Sequence, residues 1–140
     1  MEQYIEFAGN HIWLFVAFAV ILAALAWNLI SDTSGKFNID PVEATLKINR
    51  EDALVLDTRS MKEFSDGHII NAENVPLNTL GNQLQKLEKH KQHPIIAVCR
   101  SGSRSAAACT TLRKAGFEQV YNLRGGMLAW ENAGLPVKRK

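Results

Sequence analysis

Lysine and arginine are absent from the first 35 residues of this 140-residue chain, and all 16 of them lie at or after Lys36. A secretory signal peptide begins with a basic segment, whereas this chain begins with Glu2 and Glu6. The sequence Ala-Leu-Ala at 24–26 imitates a cleavage site, and a cleaved signal peptide is therefore the alternative. We expect the N-terminal segment to remain attached to the mature protein.

Cysteine is scarce as well, since the chain has only Cys99 and Cys109. Their spacing is not C-x-x-C, which argues against both a thioredoxin-type redox pair and a zinc site. His68, His90 and His93 also lack the spacing of metal ligands. No metal and no other cofactor is predicted, and Cys109, which lies among alanines, is expected in the core.

One long apolar run covers residues 12–30, and its single polar member is Asn28. A helix of this length, at about 1.5 Å per residue, spans roughly 28 Å, close to the thickness of a bilayer core. Trp13 and Trp27 lie near its two ends, where amphipathic rings favour the membrane interface. A buried core helix is the alternative, but it is rarely apolar on every side. The sequence predicts a transmembrane helix over 12–30, preceded by a short extension over 1–11.

The charges that follow this run set its expected orientation. Basic residues favour the cytoplasmic side, and the first of them, Lys36, follows the apolar run after a short polar linker predicted at 31–36. We therefore expect a single-pass protein whose N-terminus lies outside and whose C-terminal domain lies in the cytoplasm, where free thiols are common. Residues 36–140 carry 16 basic and 11 acidic side chains without interleaved aromatics, so nucleic acid is not an expected partner.

Short apolar segments alternate with helical segments beyond the linker. Asp40-Pro41 is typical of a helix start, and Ser60 with Glu63 is typical of a capping box. Such alternation predicts an α/β domain over 37–137 with a largely parallel sheet and helices on both faces. In these sheets ligands bind beyond the carboxyl ends of the strands. The predicted strands are 53–56, 73–75, 95–98 and 119–123, and the later helices are 60–66, 78–90, 103–115 and 127–133.

The segment 99–105, Cys-Arg-Ser-Gly-Ser-Arg-Ser, joins a predicted strand to an alanine-rich helix. Loop amides and a helix N-terminus together bind negative charge, and a cysteine placed there favours the thiolate. Gly102 permits a turn with positive φ, and Ser105 suits the N-cap or the first turn of the helix. At least one of Arg100 and Arg104 is expected to neutralise an anionic substrate. The segment predicts a site for sulfur chemistry or anion binding.

Several motifs in a fixed order resemble the rhodanese family over about residues 37–137. A departure from the family pattern is Asn71, where glycine is common. With its anchor, the chain is similar to the membrane-tethered single-domain members of bacterial inner membranes. The motifs are Val55-Leu56-Asp57-Thr58-Arg59, Phe64 with Gly67-His68-Ile69, Ala72-Glu73-Asn74-Val75-Pro76, the segment 99–105, and 123–130, Leu-Arg-Gly-Gly-Met-Leu-Ala-Trp.

The resemblance implies an enzyme, a rhodanese-type sulfurtransferase that moves a sulfane sulfur through a persulfide on Cys99. The implied donor is a small anion such as thiosulfate, which releases sulfite after it has given up its outer sulfur. The implied acceptor is cyanide, a thiol or a protein cysteine. Asp57 and Arg59 are implied to support the fold around the loop. The implied substrate-binding residues are Arg100, Ser101, Gly102, Ser103, Arg104 and Ser105.

Two other functions remain open at this point. Phosphatases that share the fold have five residues between cysteine and arginine, whereas four separate Cys99 from Arg104, and this smaller ring suits sulfur better than phosphate. The alternative from another class is a membrane-anchored interaction module that binds membrane proteins through the anchor. A module without catalysis has no need of Cys99 or Gly102, and the presence of both favours an enzyme.

Overall fold

A computed structural model of the chain describes the backbone of residues 1–140 and all side chains except those of residues 31–35. The chain divides into two compact units, residues 1–36 and 37–140. The first unit consists of helices α1 (Glu2–Asn10) and α2 (Ile12–Gly35). Within the described residues, the part of α2 from Ile12 to Ile30 is the one helix that is long and apolar enough to cross a membrane. The linker predicted at 31–36 falls mostly on residues whose side chains lie outside the described set.

The second unit is built on a five-stranded sheet in which every neighbouring pair is parallel. This arrangement confirms the predicted α/β fold. Its strand order is β1-β6-β5-β2-β4, which places β5 at the centre. The strands are β1 (Asn38–Ile39), β2 (Leu54–Asp57), β4 (Glu73–Asn74), β5 (Ile95–Val98) and β6 (Val120–Leu123).

Two helices of this unit begin where their capping residues predict. The Asp40 carboxylate accepts a hydrogen bond from the Glu43 amide at 2.8 Å, and Ser60 and Glu63 form a complete capping box. These caps satisfy amides that have no partner within the helix. The helices are α3 (Pro41–Glu51), α4 (Met61–Asp66), α5 (Leu80–Leu87), α6 (Ser103–Lys114) and α7 (Gly126–Asn132), and short 3-10 turns flank α5 at Leu77–Thr79 and Glu88–His90.

The core consists of two apolar clusters, one on each face of the sheet. Strand β5 contributes Ile95 and Ala97 to one cluster and Ile96 and Val98 to the other. A central parallel strand is covered on both faces, which is why its sequence is a continuous apolar run. Cys109 of α6 belongs to the first cluster, and burial raises the pKa of its thiol to about 11. Its expected place in the core is confirmed.

The sequence did not predict a second, antiparallel pair of strands, β3 (His68–Ile69) with β7 (Val137–Lys138). Each of these strands has two residues, too few for a hydrophobic period to be visible. The nearby Asn71 has a φ of 66°. Asparagine is among the few residues other than glycine that tolerate this conformation, which explains how it occupies a position where glycine is common.

Candidate functional site

The candidate site lies at the carboxyl ends of β2 and β5. Thr58, the residue after β2, donates two hydrogen bonds to the Val98 carbonyl, from its amide at 2.8 Å and from its hydroxyl at 3.0 Å. These bonds join the end of β2 to the residue that directly precedes Cys99. The two polar segments that follow these strands therefore meet, as the parallel topology predicts.

The loop after β5 wraps around the sulfur of Cys99, which is completely buried. The Gly102 amide donates to Sγ at 3.0 Å, and Gly102 reaches this position with a φ of 108°. Burial alone would raise the pKa of the thiol. Hydrogen bonds from the Ser105 hydroxyl and from the amides of Ser105, Gly102 and Ser101 outweigh that effect, and they lower the pKa below its usual value. The loop thus favours a thiolate at Cys99.

Ser105 connects this sulfur to a neighbouring strand. It lies in the first turn of α6, one of the two places expected, and Gly102 is the N-cap. Its hydroxyl lies 3.3 Å from Cys99 Sγ and 2.5 Å from Asn122 Oδ1. The Asn122 amide group donates to the carbonyl of Gly102 at 3.1 Å and to Asn38 at 2.9 Å. Strand β6 therefore holds the loop through Asn122.

The N-terminus of α7 donates hydrogen bonds to two carbonyl groups of the same loop. The Met127 amide donates to the Cys99 carbonyl at 2.8 Å, and the Leu128 amide donates to the Arg100 carbonyl at 3.2 Å. Gly126 makes this approach possible, because a Cβ atom at that position would overlap the carbonyls of Cys99 and Arg100. Its φ of 54° also favours glycine.

The two loop arginines differ in their surroundings. Arg104 forms a bidentate salt bridge with Glu63 of α4, with N–O distances of 2.9 and 3.0 Å. The hydrogen bond from Arg104 lowers the pKa of Glu63 to about 2, despite the opposing effect of burial, and the same contact raises the pKa of Arg104. Arg100 is exposed and forms no salt bridge with any described side chain. Arg100 therefore has the only uncompensated cation of the segment.

Asp57 and Arg59 form a second ion pair at 2.8 Å, and both of these residues are buried. The Arg59 guanidinium also donates to the Gly67 carbonyl at 2.7 Å, and Asn74 donates to the Arg59 carbonyl at 2.9 Å. These contacts tie the segment after β2 to α4 and β4. A buried arginine needs such partners, because an uncompensated charge in the interior is costly.

Replacing Ser105 with alanine is expected to raise the pKa of Cys99, because it removes a hydroxyl that lies 3.3 Å from the sulfur and helps to lower that pKa. A thiol with a higher pKa is less ionised at neutral pH, so the acid limb of the pH–rate profile of alkylation by iodoacetamide should shift to higher pH. The two profiles should approach each other at alkaline pH, where both thiols are ionised. Thr110→Ala removes an exposed hydroxyl of the same helix and is the matched control. An unshifted profile for Ser105→Ala would show that the loop amides alone set the pKa.

Comparison with known proteins gives the family. A family model described as a rhodanese-like domain matches residues 40–133. The chain belongs to the rhodanese-like family. YibN of Escherichia coli strain K12, itself described as uncharacterized, is 38% identical over 99% of both chains. A protein named sulfurtransferase from Allochromatium vinosum is 37% identical over 62% of this chain and 79% of its own.

Among solved structures, a rhodanese-related protein from Thermoplasma volcanium superposes with a TM-score of 0.65 at 31% identity. The match covers 74% of this chain and 98% of that one. The two proteins thus share the rhodanese-like fold over nearly the whole length of the Thermoplasma volcanium protein. Family membership and the sulfurtransferase among the relatives support a role related to sulfur transfer.

Three residues of the rhodanese-like site were missed as functional residues from sequence. Glu63 was identified only as a helix cap, Gly126 only as a member of the motif 123–130, and Asn122 not at all. The paired glycines before α7 were the one available signal for Gly126. In residues 1–30 and 36–140, no group of three histidine, cysteine, aspartate or glutamate side chains is placed to hold a metal ion.

Proposed function

We propose that the protein is a membrane-anchored sulfurtransferase that carries sulfane sulfur as a persulfide on Cys99. The observation that carries this proposal is the cage of amides and one hydroxyl around the Cys99 sulfur, which lowers the pKa of a buried thiol. A thiolate is the nucleophilic form of cysteine, and the same donors suit a negatively charged terminal sulfur. The membership of the rhodanese-like family and a relative named sulfurtransferase support the same chemistry.

The reaction has two redox-neutral steps at the same sulfur. The Cys99 thiolate attacks the outer sulfur of a donor such as thiosulfate, a new S–S bond forms, and the donor S–S bond breaks as sulfite leaves with the electron pair. A thiophilic acceptor, which is cyanide, a thiol or a protein cysteine, then attacks the outer sulfur and releases the Cys99 thiolate.

The proposal is tested by intact-mass measurement on the full chain in detergent micelles. After incubation with thiosulfate, the protein should gain the mass of one sulfur atom, located at Cys99 by peptide mapping. Addition of cyanide should return the mass to its original value and release thiocyanate. If no sulfane donor places sulfur on Cys99, the alternative of an interaction module that binds membrane proteins is favoured instead.

We propose further that α2 spans the cytoplasmic membrane, with the N-terminus outside and the rhodanese-like domain in the cytoplasm. The length and composition of Ile12–Ile30 support a span, and the absence of basic residues before Lys36 supports this orientation. In intact cells of a Cys99→Ser, Cys109→Ala background, a membrane-impermeant maleimide should label Gln3→Cys and should not label Lys140→Cys. The opposite pattern would reverse the orientation.

A further inference from the structure

Helix α1 has one apolar side and one polar side. Within the part of the chain that the structure describes, no residue of α1 is buried, and Tyr4 and Ile5 are 78% and 71% exposed. An isolated helix of nine residues is marginal in water, so α1 needs a surface against which its apolar side can pack. In helical projection the apolar side consists of Tyr4, Ile5, Phe7 and Ala8, and the polar side consists of Glu2, Gln3, Glu6 and Asn10.

A break in the helix at His11 separates α1 from α2. The His11 amide closes α1 by donating to the Phe7 carbonyl at 3.2 Å, and the His11 carbonyl accepts from the Leu14 amide at 2.8 Å at the start of α2. The backbone of His11 itself has a φ of −125° and a ψ of 30°, which lies outside the helical region. The two helices are therefore separate elements, and α1 does not have to follow the axis of α2.

The length of α2 leaves no room for α1 inside a bilayer. At about 1.5 Å per residue, the 24 residues of α2 extend about 36 Å, which already exceeds a hydrocarbon core of about 30 Å. Because His11 alone joins the two helices, α1 lies at the membrane surface wherever α2 crosses the membrane. Lipid is then the apolar material nearest to the exposed side of α1.

Building on the membrane span proposed above, we propose that α1 binds the lipid headgroup interface on the side where the N-terminus emerges. Tyr4, Ile5 and Phe7 reach into the lipid, whereas Glu2 and Glu6 face water. Since α1 has no lysine or arginine, this binding rests on apolar burial and not on attraction to anionic headgroups. It also fixes the depth of α2 in the bilayer, because α2 cannot slide along the membrane normal without moving α1 out of the interface.

The test measures where single nitroxide labels lie in the full chain, reconstituted into phosphatidylcholine vesicles. Each label is attached to one introduced cysteine in a Cys99→Ser, Cys109→Ala background. Oxygen concentrates in lipid and nickel ethylenediaminediacetate stays in water, so the ratio of their collision rates with the label reports its burial in lipid. We expect this ratio to be at least about threefold higher for Ile5→Cys than for Gln3→Cys.

A charged substitution on each side of α1 tests whether the apolar side causes the binding. With the label at Tyr4→Cys, Ile5→Asp should lower the collision ratio towards the value for Gln3→Cys, because a carboxylate is costly to bury in lipid. Gln3→Asp places the same charge on the polar side and is the matched control, with no expected change. An unchanged ratio in Ile5→Asp would contradict the proposal.

A label at Ile21→Cys, in the middle of the apolar run, separates this inference from the proposed span. If Ile21→Cys lies in lipid and Ile5→Cys gives the same ratio as Gln3→Cys, the span stands and the inference is overturned. If both reagents are excluded from Ile5→Cys, a protein surface covers α1 in place of lipid, and the inference is again wrong. If Ile21→Cys itself lies in water, the proposed span is wrong, and the placement of α1 fails with it.

Discussion

Cys99→Ser is expected to abolish sulfur transfer, with thiocyanate formation from thiosulfate and cyanide falling to the uncatalysed rate. Serine fits the same cage of hydrogen bonds, so the fold should be retained. Its oxygen is not ionised near neutral pH and cannot form a persulfide, so both steps of the reaction lose their nucleophile. The measurement is thiocyanate formation, together with a thermal unfolding curve that shows whether the variant is folded.

Cys109→Ala is the matched control for this variant. Cys109 lies in the apolar cluster beside α6, and burial raises the pKa of its thiol to about 11, which makes it a poor nucleophile. The transfer rate should stay within about twofold of the wild-type rate. The free energy of unfolding should fall by about 1–2 kcal/mol, because removal of the sulfur leaves a small cavity in the core. A large loss of transfer in Cys109→Ala, or residual transfer in Cys99→Ser, would show that Cys109 is the reactive thiol and Cys99 is not.

Gly126→Ala is expected to have the second-largest effect, a fall in the transfer rate of about a hundredfold or more. The added methyl group would overlap the carbonyls of Cys99 and Arg100, so either α7 or the loop must move. The hydrogen bonds from α7 to those carbonyls are then lost, and the Gly102 amide no longer points at Sγ. The positive φ of Gly126 adds strain, and we expect the free energy of unfolding to fall by about 2–4 kcal/mol.

Gly81→Ala provides the control for Gly126→Ala. Gly81 lies in α5, and a Cβ atom there meets no atom within 4 Å. Alanine should leave the transfer rate unchanged and should raise the free energy of unfolding by about 0.5–1 kcal/mol, because glycine is the poorer helix former. A wild-type rate in Gly126→Ala would show that the contact between α7 and the loop has no part in positioning the sulfur.

Comparison of the sequence predictions with the structure separates local features from long-range ones. Strand β5 and the caps at Asp40 and Ser60 were predicted correctly, because a fully covered strand and a helix cap each depend on residues close together in the chain. The pair β3 and β7 was not predicted, since each strand has two residues.

The contacts of the site are mostly long-range. Arg104 was expected among the substrate-binding residues, and the sequence has no pattern that pairs it with Glu63, its salt-bridge partner 41 positions away. The bond from Ser105 to Asn122 spans 17 positions and depends on how α6 and β6 pack. Gly126 meets the Cys99 carbonyl only because α7 begins next to the loop.

The sequence by itself determined the family, the parallel α/β fold, the apolar helix and the polar loop that begins at Cys99. These features follow from composition, periodicity and the order of short motifs, all of which are local. Tertiary structure alone decided the environment of the Cys99 sulfur, the compensation of Arg104 by Glu63 and the support of the loop by α7. Those properties depend on which distant residues come within hydrogen-bonding distance, and only the packing of helices against the sheet brings them there.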